Sequence, residues 1–141
     1  MGYAFAAISE LSMNTRAVQS YQDLAAWKEA RSLVRSVYIS TRLFPNEERF
    51  GLTSQIRRCA VSVPSNIAEG YGRGSRNDYS RFLRIARGSL FELETQMLLA
   101  HDLGYINDEA RQGIQAQINK VARPLWGLIR SIETSNPSRM Q

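Results

Sequence analysis

From Asp23 onward the apolar residues recur three and four positions apart, the spacing that lines one face of an α-helix. The first seam is Trp27, Ala30, Val34, Val37, Thr41 and Phe44, which predicts a helix over roughly Gln22–Leu43. Phe44-Pro45 ends it, because the residue before a proline is driven out of the α region, and Pro45–Gly51 reads as a loop. Leu52, Ile56, Ala60, Val63 and Ile67 predict a second helix from about Leu52. Pro64 lies inside this pattern and either kinks the helix or divides it, and Gly70-Tyr71-Gly72-Arg73-Gly74 reads as the turn that follows. Ser75-Arg76-Asn77-Asp78 resembles a capping box. It opens a third helix whose seam is Tyr79, Phe82, Ala86, Ser89, Leu93, Gln96, Ala100 and Leu103, with Gly104 as its left-handed stop. Asn107, with Asp108 and Glu109 at the positive end of the dipole, starts a fourth. Ile114, Ile118, Val121, Leu125, Leu128 and Ile132 form its seam, which Pro124 should bend.

Neither strand-like alternation nor an internal repeat interrupts these four patterns. Four helices joined by short links predict an all-α, antiparallel up-and-down four-helix bundle over residues 21–133. A loose N-terminal arm over 1–20 and a frayed tail over 134–141 flank it. A chain of 141 residues with 43% hydrophobic and 22% charged residues suits one soluble domain. No run approaches the ~18 apolar residues of a membrane span, so no membrane partner is expected. Tyr3–Ile8 is apolar but short and has no basic flank, which fails as a secretory signal and leaves the cytoplasm as the expected location. Cys59, the one cysteine, falls within the second apolar pattern and reads as a small buried side chain.

Charge changes the picture. The net charge is +5, and of the 18 basic residues only Lys28 and Lys120 are lysines. Arginine's planar fork binds phosphate with two parallel hydrogen bonds. Between Arg49 and Arg87 stand Arg49, Arg57, Arg58, Arg73, Arg76, Arg81, Arg84 and Arg87, opposed only by Glu69 and Asp78. At ~100° per residue, Lys28, Arg31, Arg35 and Arg42 fall within an arc of about 60° on the first helix. Arg57 and Arg58 point away from the second seam, and Arg76, Arg84 and Arg87 share a side of the third helix. Such ridges could track a phosphate backbone. They could equally pair with acids of a neighbouring helix or subunit, for which Glu69, Glu92 and Glu94 are available.

Two further surfaces bear on assembly. Gln55, Ser62, Asn66 and Glu69 share a face of the second helix, either a solvated face or a hydrogen-bonding network at a subunit boundary. The third helix is apolar almost all round from Leu90 to Leu99. Phe91 and Leu98 there, and Trp126 on the fourth helix, point away from their seams, which favours oligomerisation. Catalytic signatures are weak. The glycine-rich turn follows a helix and lacks the Gly-Lys-Ser/Thr ending of a phosphate loop. His101, the single histidine, belongs to no Glu-x-x-His pair and supports no Ser/His/Asp set. Neither a metal nor a cofactor is expected. Tyr38, Tyr71, Tyr79 and Phe50 could stack bases, though three of the four sit at or near core positions.

Several strings together are more specific than the periodicity. Leu52-Thr53-Ser54-Gln55-Ile56-Arg57-Arg58, Ser62-Val63-Pro64-Ser65-Asn66-Ile67-Ala68-Glu69-Gly70, Phe82-Leu83-Arg84-Ile85-Ala86-Arg87-Gly88-Ser89, Glu92-Leu93-Glu94-Thr95-Gln96 and Leu103-Gly104-Tyr105 resemble the four-helix-bundle proteins encoded in intervening sequences of bacterial large-subunit ribosomal RNA genes. Asp23-Leu24 with Trp27, and Phe44-Pro45, also fit, so the resemblance covers about residues 21–133; Pro124-Leu125-Trp126 is less like the family. The resemblance implies an antiparallel bundle assembling as a ring-like homopentamer, with no established enzymatic activity. More distantly, the chain is similar to the accessory variability protein of diversity-generating retroelements, a basic pentamer that works with a reverse transcriptase and RNA. The combined expectation is a non-enzymatic homo-oligomer that binds nucleic acid, structured RNA foremost. Its contacts would be Arg31, Arg35, Arg42, Arg57, Arg58, Arg73, Arg76, Arg84 and Arg87, and its subunit boundary Gln55, Ser62, Asn66, Glu69, Phe91, Leu98 and Trp126. The alternative is a protein–protein scaffold whose arginines serve subunit or partner contacts.

Overall fold

The computed structural model describes residues 18–134, so residues 1–17 of the expected arm and 135–141 of the expected tail lie outside the described residues. Four α-helices follow one another: α1 (Ala25–Thr41), α2 (Leu52–Gly72), α3 (Arg76–Asp102) and α4 (Asp108–Thr134). Short 3₁₀ turns occupy Tyr21–Asp23 and Asn46–Glu48, and no strand occurs among the described residues. α1 packs on α2 and α4, and α3 packs on the same two helices, which closes a four-helix bundle. None of these helices is long and apolar enough to cross a membrane.

Local chemistry sets most boundaries. Ser75 Oγ accepts from the Asp78 amide at 3.2 Å, and Asn107 Oδ1 accepts from the Ala110 amide at 2.8 Å, so α3 and α4 begin where their caps predict. Gly104 takes φ 78° after α3. α1 begins three residues later than periodicity suggests. Ser20 and Asp23 cap the 3₁₀ turn instead, with Asp23 accepting from the Gln19 and Ser20 amides at 2.9 and 3.3 Å. Those two amides hold the Asp23 carboxyl below its ordinary range.

α2 departs furthest from expectation. It runs through Pro64 without dividing and continues two residues past Gly70. The turn is therefore Arg73–Ser75, with Gly74 at φ 81°. Gly70 has a packing role: a Cβ built there would stand 2.7 Å from Phe82 Cβ, so α2 and α3 touch where no larger residue fits.

The core is built from Leu33 and Val37 of α1, Ile56, Val63 and Ile67 of α2, Leu83, Leu90 and Leu93 of α3, and Val121 and Leu125 of α4, all fully buried. Trp27 and Val34, placed at the centre of the first seam by spacing, are half-buried shoulders, and Ala26 and Leu33 take the centre. Leu83, Leu90 and Met97 are buried beside the predicted α3 seam, while Leu103, past the last turn, is exposed. Each helix meets two neighbours, so its buried arc is wider than one 3-4 stripe and its centre shifts toward the bisector of the two contacts.

Candidate nucleic-acid interface

The α1–α2 face carries a chain of shallow grooves. One is lined by Trp27, Lys28, Arg31, Ser32 and Arg35. The next shares Trp27 and Arg31 and adds Tyr21, Val34, Val61, Pro64, Ser65 and Ala68. The third shares Val61 and continues through Tyr38, Arg49, Phe50, Thr53, Ser54, Arg57 and Arg58. Lys28, Arg31, Arg35, Arg49, Arg57 and Arg58 thus border one continuous surface, and no carboxylate lines any part of it. Arg42 lines an adjoining groove with Thr41, Arg49 and Arg57, again without an acid.

Arginines and rings alternate along this surface. The Arg31 guanidinium lies 5.6 Å from the Trp27 ring centre, Arg57 lies 4.6 Å from Tyr38, and Arg49 lies 5.4 Å from Phe50. Trp27 and Tyr38 are 11 residues apart on α1, which separates the first two pairs by about 16 Å along the helix. Arg57 is also tethered. Its Nε donates to Thr41 Oγ1 at 2.9 Å, and that hydroxyl in turn donates to the Val37 carbonyl at 2.8 Å. The guanidinium is held in place before any ligand arrives, which lowers the entropy cost of binding. Glu48, the nearest acid in sequence, accepts from the Leu52 amide at 2.9 Å and caps α2 instead of neutralising the groove.

The arginines around α3 differ. Arg73 Nη2 lies 3.1 Å from Glu69 Oε1 and its guanidinium stacks on Phe82. Arg84 pairs with Glu133 at the far end of α4, donating from Nε at 2.7 Å, and Ser80 Oγ donates to the same carboxylate oxygen at 2.9 Å. Arg81, passed over in the site prediction, reaches Asp78 at 3.8 Å. Arg76 is exposed at the start of α3. Arg87 lies 5.6 Å from the Trp126 ring. Arg49, like Arg81, was counted in the basic run yet left out of the site, and it alone of the two borders the α1–α2 groove. Its loop placement hid it, and the signal that could have found it is its neighbour Phe50, an aromatic outside every seam.

The proposed boundary residues separate into two groups. Ser62 and Asn66 bond within the chain: Ser62 Oγ meets Ser89 Oγ at 2.8 Å, and Asn66 Nδ2 donates to the Ser62 carbonyl and hydroxyl at 2.8 and 2.9 Å. Glu69 binds Arg73, and Gln55 is exposed. Phe91 and Trp126 meet edge to face at 5.7 Å on the α3–α4 surface, where Phe91 and Leu98 are exposed. Between α2 and α3, the Cys59 thiol donates to the Ser89 carbonyl at 3.0 Å. Burial first, and then the charge of Glu92, push its pKa up to about 12, which suits an inert thiol. Among the described residues no three His, Cys, Asp or Glu side chains come together as metal ligands.

The sequence signature of the 23S rRNA-intervening sequence proteins matches residues 22–127. The chain belongs to this family. A solved structure from Bacteroides thetaiotaomicron VPI-5482, described as a protein with unknown function from the S23 ribosomal protein family, is similar with a TM-score of 0.67 at 25% identity. The similarity covers 74% of this chain and 95% of that one. Among curated proteins, none matches the chain. The intervening-sequence match runs from Gln22 in the 3₁₀ turn to Gly127 within α4, so it takes in every cation of the α1–α2 face and the paired arginines around α3.

Proposed function

We propose that this intervening-sequence protein is a cytoplasmic, non-enzymatic antiparallel bundle that assembles as a ring-like homopentamer and binds nucleic acid, structured RNA foremost. Phosphate is contacted chiefly by the α1–α2 face, with Arg73, Arg76, Arg84 and Arg87 as outlying contacts. The observation that carries this reading is the continuous groove bordered by Lys28, Arg31, Arg35, Arg49, Arg57 and Arg58 and free of carboxylates. Such a surface is most stable with an anion on it, and spaced guanidinium groups match a polyanion better than a single small anion. Five copies at +5 each sum to about +25, which predicts strong, salt-dependent association.

The test is fluorescence anisotropy with labelled RNA and duplex DNA at low and high salt, on the wild type and on Arg31→Glu/Arg35→Glu. Affinity should fall steeply with salt, and the reversal should weaken binding at low salt by at least about tenfold. Absence of binding at low salt, or binding indifferent to the reversal, would defeat the proposal. Light scattering tests the ring through a mass five times that of the chain. A protein–protein scaffold is the second reading. It is favoured by the exposed Phe91 and Leu98 beside the half-buried Trp126, and it predicts that these arginine reversals change mass or partner capture but leave RNA unbound.

A further inference from the structure

We propose that the end of the α1–α2 groove built by Tyr38, Arg49, Phe50, Arg57 and Arg58 receives an unpaired nucleotide of a single strand. Its base stacks on Phe50 and its phosphate lies between Arg57 and Arg58. The inference rests on the nucleic-acid reading and narrows it to a strand type and a pocket.

Four observations converge. Phe50 is 89% exposed, a bare aromatic ring on a basic surface, with the Arg49 guanidinium over it at 5.4 Å. Apolar surface of that size is stabilised by a covering group, and every base offers a flat apolar face. The groove measures about 460 Å³, within the size range of small-ligand sites. Its cations suit a phosphate: Arg57 is fixed by the Tyr38 ring against its guanidinium and by Thr41 at Nε, and neither contact uses a hydrogen bond from its terminal nitrogens. Thr53, which lines both this groove and the adjoining one, is only 6% exposed, yet its Oγ1 has no hydrogen-bond partner. A buried hydroxyl left unpaired is costly, and a small shift of the groove wall on binding would open Thr53 Oγ1 to a ligand oxygen or exocyclic amine.

A duplex explains only half of this. Its phosphates would use the arginines, but its bases are stacked on one another and offer nothing to Phe50. A second copy of the chain would have to bring carboxylates to three arginines at once, a contact that would show in the assembly's mass.

The experiment uses the full chain at low salt with a labelled 12-nucleotide oligouridylate and a 12-base-pair RNA duplex. Phe50→Ala should weaken single-strand binding by about 5- to 100-fold, the range of one lost base–aromatic stack, and shift duplex binding less than twofold. Phe50→Trp should restore the single-strand affinity. A 2-aminopurine in the strand should be quenched by the wild type and not by Phe50→Ala. Because the side chain is almost wholly exposed, the variant should fold normally, as circular dichroism will verify. Equal loss on both ligands, no loss on either, or duplex binding alone would overturn this inference and leave the nucleic-acid reading standing. If neither ligand binds the wild type, both fall. A drop in oligomer mass on Phe50→Ala would assign the ring to a subunit contact and overturn the pocket.

Discussion

On the α1–α2 face, Arg31, Arg49 and Arg57 lie over aromatic rings and no described carboxylate pairs with them, whereas around α3, Arg73, Arg81 and Arg84 each reach an acid. The residue type is the same, and what differs is the acid within reach, one turn away along the chain for Arg73 and Arg81 and on the neighbouring helix for Arg84. Across from α1, the outward positions of α2 are Ser54, Val61, Pro64, Ser65 and Ala68, none able to neutralise a cation. Across from Arg84, α4 delivers Glu133. Packing differs in parallel. α2 and α3 close tightly at Gly70 and Ser62–Ser89, while the half-buried Trp27 and exposed Tyr38 sit at the α1–α2 seam, whose outer edge remains a groove. One side of α2 is a structural joint, and the other is a surface with its charge uncompensated.

Charge reversal should separate the two sides most strongly. Arg57→Glu/Arg58→Glu should reduce RNA affinity by about 100-fold at low salt, whereas Arg73→Glu should reduce it less than about threefold, because Glu69 already occupies that guanidinium. Equal losses in an anisotropy titration would erase the distinction. Exposed pairs of this kind are worth only about 0.3–0.5 kcal/mol, so the contrast rests on geometry and not on strong bonds.

The tight side should break under added volume. Gly70→Ala forces a methyl against Phe82 and should cost about 1–3 kcal/mol in urea unfolding. Gly72→Ala, with open space around it, should be neutral or stabilising by up to about 1 kcal/mol. A neutral Gly70→Ala would mean that α2 and α3 are less closely joined than described. Ser62→Ala should cost about 1 kcal/mol by orphaning Ser89 Oγ, and Thr41→Val a similar amount by untethering Arg57. Only the second should also weaken RNA binding.

The smallest effect near neutral pH is alkaline linkage. Burial pushes the Cys59 thiol and the Tyr79 hydroxyl up to about 12. Both groups are neutral when protonated, and the fold prefers that form. Their contribution is therefore fully present below their unfolded values of 9.0 and 10.0 and is lost as pH rises toward 12. Urea midpoints should fall from about pH 9 upward, and Cys59→Ala should flatten the earlier part of that fall. A midpoint independent of pH up to 11 would contradict the burial of both groups.

Periodicity, caps and composition determined the four helices, the Ser75 and Asn107 starts, the Gly104 stop and the concentration of arginine, because each depends on residues within a few positions of one another. They left open how wide each buried arc is, so Leu33 and Leu90 fell outside the predicted seams. They also misplaced the α2 turn, since Gly70 is required by Phe82, 12 residues further along the chain and on another helix. Glu69–Arg73 and Asp78–Arg81 follow the local i, i+4 and i, i+3 spacing, but the tertiary structure alone decided the longer-range pairings. Arg84 and Glu133 are 49 residues apart, and Arg57 and Thr41 are 16 apart. Whether such groups meet depends on the relative rotation and offset of packed helices, and no local spacing encodes those two quantities.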